Sequence, residues 1–225
     1  MQKIDTTPTT AAIILAAGTS SRMEGGRHKL LLPLHDRPVL AHVLDAVLAS
    51  KSRPILLILG HQANHVRSQI VQYTGHTSIT IIENKDYKEG MSTSLRLGIQ
   101  ALHAHSSQHI DSILVLLGDQ PLISARLLDT LIGTFRQTGK NIVAPLYNGK
   151  RGNPVLFGKS LFDELALVSG DEGGRSVLNR HKDEIATVEV GDVQASYDVD
   201  TWEAYQQVLA AWKTQHMQKR NNIDG

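Results

Sequence analysis

The sequence contains no cysteine and few aromatic residues, and neither sign of charge predominates. Without cysteine, the chain forms no disulfide, no thiolate metal site and no cysteine nucleophile. Its 23 Lys and Arg residues balance its 22 Asp and Glu residues, so the composition does not favour binding to nucleic acid. No apolar run approaches the about 18 residues of a membrane-spanning helix, and residues 1–10 lack the apolar stretch of a signal peptide. We therefore expect a cytoplasmic protein that binds neither a membrane nor nucleic acid.

Apolar strand-like runs alternate with helix-periodic segments along the chain. Several of these runs are continuous Ile, Leu and Val, which is typical of strands buried on both faces. The predicted strands are 12–15, 55–59, 78–82, 113–117, 142–144, 154–157 and 185–190. The predicted helices are 39–48, 63–73, 94–102, 124–135, 160–167, 175–181 and 201–212. Strands separated by helices need crossover connections, so the pattern predicts a doubly wound α/β fold with a mainly parallel sheet.

The length fits one domain, which we place at residues 11–213. The polar ends, residues 1–10 and 214–225, are predicted to be flexible. In an open α/β sheet, ligands bind beyond the carboxyl ends of the strands, near the point where the strand order reverses. We therefore expect the functional residues to lie in the segments that follow predicted strands.

The first such segment, LAAGTSSRMEGGRHK, leads from the first strand into small residues and then into cations. Ala16, Ala17 and Gly18 let the backbone approach a ligand closely, and successive N–H groups in such a turn form an anion-binding nest. Arg22 and Lys29 could reach phosphate oxygens, the arginine as a fork and the lysine as a point charge. The chain has neither a Walker A motif nor a G-x-G-x-x-G fingerprint. A plain surface loop is the alternative, but two cations after a buried strand favour a polyphosphate site.

Asp119 follows an apolar strand and a glycine in the segment LVLLGDQPLIS. Its carboxylate is thus predicted to lie at the carboxyl end of that strand. A magnesium ion typically takes one or two protein carboxylates together with substrate phosphates, and Asp119 suits that role. A turn aspartate before Pro121 explains the residue equally well.

Two further carboxylates, Asp198 and Asp200, lie in the segment YDVDTWEAY. If this segment is extended, both side chains point to one face and could supply a second metal ligand. Asp200 could instead cap a helix that begins at Thr201, with Glu203 completing a capping box. Capping explains Asp200 well and Asp198 poorly, and the two roles are compatible.

Three glycine-rich polar segments, KEGMSTSLRLG, KRGNPVLFG and SGDEGGRSVL, are candidates for the rim of a pocket. The first leads from Gly90 to Ser94 into a helix whose first N–H groups could hold an anion or a base edge. Arg151 and Asn153 precede a short strand, and Arg175 opens a helix. Each segment alone is more typical of a structural turn, whereas together they indicate one site.

The eleven histidines are scattered and give no zinc-binding pattern. His103, His105 and His109 lie nearest to one another, but no pair of carboxylates accompanies them. The chain also has no G-x-S-x-G nucleophile elbow.

In their order, these motifs resemble those of the molybdenum cofactor cytidylyltransferases, which are nucleotidyltransferases of the molybdopterin and sugar-nucleotide type. The resemblance covers the chain from Ala12 to Tyr205. It rests on LAAGTSSRM with the following lysine and LLLP, and on EGMSTSLRLGI, GDQP, GNPVLF, GDEGGR and DVDTWEAY. It implies a Rossmann-like, three-layer nucleotidyltransferase domain. It also implies a Mg²⁺-dependent enzyme that transfers CMP from CTP to the terminal phosphate of molybdopterin and releases pyrophosphate.

The resemblance also implies a role for each matching residue. The implied catalytic residues are Arg22, Lys29 and Asp119. The implied nucleotide-binding residues are Leu15, Ala16, Ala17, Gly18, Arg22, Lys29, Gly90, Met91, Ser94 and Gly118. The implied residues for the molybdopterin acceptor are Arg151, Asn153, Pro154, Gly174 and Arg175. The implied Mg²⁺ ligands are Asp119 and either Asp198 or Asp200.

Several alternatives stay open at this point. Family members with LAAG tend to take CTP and those with LAGG tend to take GTP, so Ala16 and Ala17 favour CTP. A GTP-using molybdopterin guanylyltransferase, an enzyme acting on a sugar phosphate or methylerythritol phosphate, and a non-catalytic nucleotide-binding chaperone are the alternatives. If the resemblance extends to partners, the protein docks transiently to a molybdenum hydroxylase.

The sequence departs from the family pattern in one place. Glu24 follows Met23 where relatives usually have glycine, and EGGRH lengthens the path from Arg22 to the lysine. Arg27 or His28 could therefore share the phosphate-binding role.

Overall fold

The apolar runs form the strands of a central sheet in a computed structural model, which describes residues 9–23, 26–104 and 109–221. The strands are β1 (Thr10–Ala16), β2 (Pro33–Leu34), β3 (Arg37–Pro38), β4 (Ile55–Leu59), β5 (Ile79–Glu83), β6 (Ser112–Leu117), β7 (Ile142–Tyr147), β8 (Lys150–Arg151), β9 (Val155–Gly158) and β10 (Ile185–Glu189). The helices are α1 (Val39–Ala49), α2 (Ala63–Gln69), α3 (Val71–Thr74), α4 (Met91–Ala104), α5 (Ala125–Thr138), α6 (Phe162–Ala166), α7 (Arg175–Arg180) and α8 (Trp202–Asn221). The predicted alternation of strands and helices is confirmed.

The main sheet has the strand order β10-β7-β9-β6-β1-β4-β5, with β8 paired to β7. Most neighbours are parallel, but β9 runs antiparallel to both β6 and β7. The predicted α/β class with a mainly parallel sheet is therefore confirmed. From β1 the chain moves to β4 and β5 on one side and then returns to β6 on the other side. The strand order reverses between β1 and β6, where a ligand crevice is expected.

Helices cover both faces of this sheet, because each strand buries alternate residues on opposite sides. Ala12 and Ile14 of β1 pack with Leu40 and Leu128 from α1 and α5, in one hydrophobic cluster. On the other face, Ile13 belongs to a second cluster that includes residues of α4 and α6. The result is three layers, and both sides of β1 are fully buried.

The structure differs from the sequence expectation mainly at the ends of helices. The predicted helix 63–73 is two helices, because Ile70 between α2 and α3 leaves helical geometry with φ −117°. The helix predicted at 94–102 begins at Met91, and the last helix continues past Trp212 to Asn221. Hydrophobic periodicity does not mark these additional turns, because most of their residues are polar. Of the predicted flexible ends, residues 1–8 and 222–225 lie outside the described residues.

Within the described part of the chain, no helix has both the length and the hydrophobicity to cross a lipid bilayer.

The contact between α4 and β1 leaves no room for a side chain at Gly98. A Cβ atom at this position would lie 2.8 Å from Cγ2 of the fully buried Ile13. Gly133, in the middle of α5, has open space at the corresponding position. The two glycines are therefore a matched pair for testing how closely α4 packs on the sheet.

We expect Gly133→Ala to raise the free energy of unfolding by about 1 kcal/mol, because alanine is the better helix former. Gly98→Ala has the same helix gain but must displace Ile13, at a cost of roughly 1–3 kcal/mol. It should therefore be less stable than Gly133→Ala by that amount in urea unfolding. Equal stabilisation of the two variants would contradict the close contact.

Candidate active site

The Lys29 ammonium lies between two aspartates that are distant in sequence. Its Nζ is 2.5 Å from Oδ2 of Asp119 and 2.6 Å from Oδ1 of Asp200. Arg22 binds the other oxygen of Asp200, with Nη1 3.0 Å from Oδ2. The side chains of Lys29 and Asp119 are only 16% and 11% exposed, whereas that of Arg22 is 72% exposed. The site thus has a mostly buried ion pair at its base and a solvent-exposed arginine at its rim.

Backbone hydrogen bonds bring these side chains together. The N–H of Val199 donates to the carbonyl of Asp119 at 3.0 Å, which attaches the segment before α8 to the end of β6. The N–H of Lys29 donates to the hydroxyl of Ser20 at 3.2 Å, which links the lysine to the loop after β1. The ends of β1 and β6 are adjacent because the two strands pair in parallel. Three separate motifs therefore meet where the strand order reverses.

Asp200 does not serve as the cap of α8. The helix begins at Trp202, and the hydroxyl of Thr201 accepts the N–H of Ala204 at 3.2 Å. Thr201 is therefore the capping residue, and the expected capping box of Asp200 with Glu203 is not formed. The Asp200 carboxylate instead receives hydrogen bonds from two cations, which fits a role in the site.

The carboxylates and Lys29 shift one another's protonation. Burial lowers the pKa of Lys29, but Asp119 and Asp200 more than offset this effect and raise the pKa above its usual value. Burial likewise raises the pKa of Asp200, yet Lys29 and Arg22 hold it below its usual value. For Asp198, burial and then the charges of Asp119 and Asp200 all act in the same direction and raise the pKa. The cluster therefore holds negative charge that is not fully compensated.

These side chains line a cavity of about 470 Å³ at this edge of the sheet. Among the residues predicted from the sequence, those lining it are Leu15, Ala16, Ala17, Gly18, Arg22, Lys29, Gly90, Met91, Ser94, Asp119, Asp198 and Asp200. Gly118 does not line the cavity. A side chain at this position would place its Cβ atom 3.0 Å from the Cβ atom of Ala16. The volume is within the range of small-molecule sites, which is roughly 300–1,000 Å³.

The sequence did not single out Tyr87, Lys88 or Asp171, which also line the cavity. Lys88 is the first residue of the glycine-rich segment KEGMSTSLRLG and Tyr87 comes just before it, so only their proximity to the glycine could have indicated them. Asp171 belongs to GDEGG, and its Oδ1 accepts the N–H of Met91 at 3.2 Å. Gly90 allows this contact, because a Cβ there would lie 2.5 Å from the backbone of Gly170.

The residues predicted to bind the acceptor do not line this cavity. Arg151 is exposed in β8, and the carbonyl of Asn153 accepts the hydroxyl of Tyr147 at 2.8 Å. Pro154 comes just before β9, whose amino end lies at the same sheet edge as Asp119 because β9 runs antiparallel to β6. Gly174 packs on Phe157 just before Arg175, the first residue of α7. An acceptor role for these residues stays a prediction.

The two alternative phosphate-binding residues also lie outside the lining. The guanidinium of Arg27 stacks 5.0 Å from the ring centre of Trp202. His28 is buried, which lowers its pKa, and its Nε2 lies 3.2 Å from the carbonyl of His61. The cations that line the cavity are therefore Arg22, Lys29 and Lys88, among which Arg22 and Lys29 were predicted from the sequence. Glu24, where the sequence departs from the family pattern, lies outside the described residues.

Among the described residues, no three His, Asp or Glu side chains form a ready-made metal site. A magnesium ion shared with phosphates needs fewer protein ligands, since one or two carboxylates suffice. Oδ1 of Asp119 is buried and accepts no hydrogen bond from a described residue, so it is free to bind a cation. Asp119, with Asp198 or Asp200 beside it, therefore fits a divalent ion. Of the three neighbouring histidines His103, His105 and His109, His105 lies outside the described residues.

The chain resembles known nucleotidyltransferases in sequence. A family model described as the MobA-like NTP transferase domain matches residues 12–185. The molybdenum cofactor cytidylyltransferase of Escherichia coli K12 is 32% identical over 147 residues, which are 65% of this chain and 69% of that protein. The bifunctional protein GlmU of Pelobacter propionicus is 31% identical over 158 residues, which are 70% of this chain and 32% of that protein. The chain spans about a third of the length of its GlmU relatives.

The fold also resembles solved structures. The crystal structure of Rv0371c from Mycobacterium tuberculosis H37Rv aligns with a TM-score of 0.74 and 30% identity, over 91% of this chain and 99% of that one. A structure of Rv0371c in complex with manganese aligns with a TM-score of 0.71 and 28% identity, over 90% of this chain and 98% of that one.

Removal of the Lys29 charge should destabilise the protein in a pH-dependent way. Lys29→Met leaves three neighbouring carboxylates without their buried cation, so we expect a loss of roughly 1–3 kcal/mol at pH 8. In the variant, loss of the cation should raise the pKa of Asp198 further above its usual value, because Lys29 normally offsets part of the effect of burial and of the neighbouring carboxylates. The loss should then shrink as the pH falls through this raised value. Urea unfolding with EDTA at pH 8 and pH 5 measures this change.

The control is Arg22→Met, which removes an exposed ion-pair partner and should change stability by less than about 1 kcal/mol. An equal loss for Lys29→Met at both pH values would contradict the electrostatic account of the cluster.

Proposed function

The chain belongs to the MobA-like NTP transferase domain family, and on this premise we propose that it transfers CMP from CTP to the terminal phosphate of molybdopterin. The observation that carries the proposal is the cavity where Lys29 joins Asp119 and Asp200 beside the loop after β1. This arrangement places cations for a polyphosphate next to carboxylates for a divalent ion.

In the proposed reaction, an oxygen of the acceptor phosphate attacks the α-phosphorus of CTP. A new P–O bond forms, the bond between the α- and β-phosphates breaks, and pyrophosphate leaves with the electron pair. A phosphomonoester has a second pKa of about 6, so the nucleophile is already an anion and needs no general base. The residues at the cavity must instead position the reactants and stabilise the negative charge that develops on the transferring and leaving groups.

Each part of the cavity has a place in this scheme. The small residues Ala16, Ala17 and Gly18 would let backbone N–H groups approach the triphosphate. Lys29 and Arg22 would contact its oxygens. Asp119, with Asp198 or Asp200, would hold Mg²⁺, which when bound neutralises phosphate charge and orients the phosphate oxygens. The proposal of a metal is supported by the free, buried Oδ1 of Asp119.

CTP is the proposed nucleotide because Ala17 stands where the GTP-using pattern has glycine. Ala17 is buried and lines the cavity, so its methyl group would take up space that a glycine would leave to a larger base. A cytoplasmic location and transient docking to a molybdenum hydroxylase are the remaining parts of the proposal.

A panel of nucleotides and acceptors tests the proposed reaction. We expect release of pyrophosphate only with CTP, Mg²⁺ and molybdopterin carrying molybdenum, and much less with GTP. A sugar phosphate or methylerythritol phosphate should not replace the acceptor, because the proposal follows the Escherichia coli relative, a molybdenum cofactor cytidylyltransferase. Activity with one of these acceptors alone would contradict the proposed substrate. Nucleotide binding with no turnover on any acceptor, with Mg²⁺ present, would indicate a non-catalytic binding protein.

Asp119→Ala should reduce turnover by at least about 10²–10³-fold, because it removes the proposed metal ligand at the reacting phosphates. The variant should still fold, since the backbone carbonyl of Asp119 keeps its hydrogen bond from Val199. Steady-state assays at saturating Mg²⁺, with circular dichroism of the same samples, measure both properties. Asp163→Ala is the control, because it removes an exposed carboxylate on α6. Near-normal turnover of Asp119→Ala would overturn the metal assignment.

A further inference from the structure

Asn84 is a buried polar residue at the carboxyl end of β5, beside the first turn of α4. Its side-chain oxygen accepts the N–H of Asp86 at 2.9 Å. Its side-chain nitrogen donates to the hydroxyls of Thr93 at 2.8 Å and Ser94 at 2.9 Å. A backbone N–H can only donate, so the atom facing Asp86 must be the oxygen, and the nitrogen must face the two hydroxyls. The direction of all three hydrogen bonds is therefore fixed.

The hydroxyl groups of Thr93 and Ser94 differ in whether they donate a hydrogen bond within the protein. Thr93 Oγ1 accepts from Asn84 and donates to the carbonyl of Gly90 at 2.8 Å. Ser94 Oγ also accepts from Asn84, but in the described part of the chain no acceptor receives its proton. Ser94 is only 3% exposed and lines the cavity. Its hydroxyl proton is thus available to a molecule in the cavity.

We infer that Asn84 is a positioning residue that keeps the Ser94 hydroxyl as a hydrogen-bond donor to the bound nucleotide. This inference rests on the proposed function, because it takes the ligand of the cavity to be a nucleotide. The first turn of α4 lines the cavity with the uncharged residues Gly90, Met91 and Ser94, and the charged residues Lys88 and Asp171 also line this side. Because the Ser94 hydroxyl is neutral and Arg22 and Lys29 lie on a different segment, the loop after β1, we take the acceptor of Ser94 to belong to the nucleoside part, in the base or the ribose.

Asn84→Asp removes both side-chain N–H donors with almost no change of shape. One carboxylate oxygen can still accept the N–H of Asp86, but the other can only accept, so Ser94 and Thr93 can bond to it only by donating their own protons. Ser94 then has no proton for the nucleotide. We expect the Kd of CTP, measured by titration calorimetry with Mg²⁺, to rise about tenfold, which is typical of one lost hydrogen bond.

Two further variants separate this effect from a general disturbance of α4. Ser94→Ala removes the donor directly and should raise the Kd about as much, while the double variant should bind no more weakly than either single variant. Thr93→Val removes the other partner of Asn84, which does not line the cavity, and should leave the Kd within about twofold of the wild type. Additive losses in the double variant, or an equal loss in Thr93→Val, would overturn the inference.

Inorganic tripolyphosphate tests whether Ser94 contacts the nucleoside part of CTP, because it carries the phosphate charges of CTP without the base and the ribose. Its affinity should change by less than about twofold in Asn84→Asp. An equal loss for CTP and tripolyphosphate would mean that the new carboxylate repels phosphates, and it would overturn the inference. If the wild type binds no nucleotide, the proposed function fails as well. If the wild type binds CTP and both single variants bind it equally tightly, only the inference fails.

Discussion

The ion pairs of Lys29 with Asp119 and Asp200 are the interaction on which the site depends. They join the loop after β1, the end of β6 and the segment before α8, which lie far apart in sequence. Without this ammonium, the carboxylates would repel one another in a partly buried space, and no ion pair would hold their segments together. The cation therefore helps to shape the cavity before any ligand enters.

The topology makes this meeting possible, because β1 and β6 are neighbours with parallel carboxyl ends. Small residues then allow the ends to approach closely. Ala16 and Gly118 face each other with little space between them, and Gly60 lies even closer to Ala17. Larger side chains at these positions would separate the loops and move Asp119 away from Lys29. The small residues of the LAAG segment thus contribute to packing as well as to ligand approach.

Much of this organisation follows from local patterns in the sequence. The Ile, Leu and Val runs predict β1, β4 and β6 because burial on both faces requires continuous apolar residues. The loops of the site could be found because they follow those strands. What the sequence could not supply is which side chains pair: Lys29 bonds to the distant Asp119 and Asp200, and Thr201 rather than Asp200 caps α8. Each depends on side-chain directions in three dimensions, which no hydrophobic period encodes.

The antiparallel course of β9 has a consequence for how such a fold can diversify. Because β9 enters the sheet from the opposite direction, the turn at Asn153 and Pro154 lies on the same edge as Asp119, but outside the cavity itself. Substitution of the Asn153 side chain can alter a neighbouring surface while its backbone carbonyl keeps the hydrogen bond from Tyr147 of β7 and the residues around Lys29 are unchanged. Related proteins with this fold can therefore differ in the molecule that binds at this neighbouring surface while they keep the same nucleotide site.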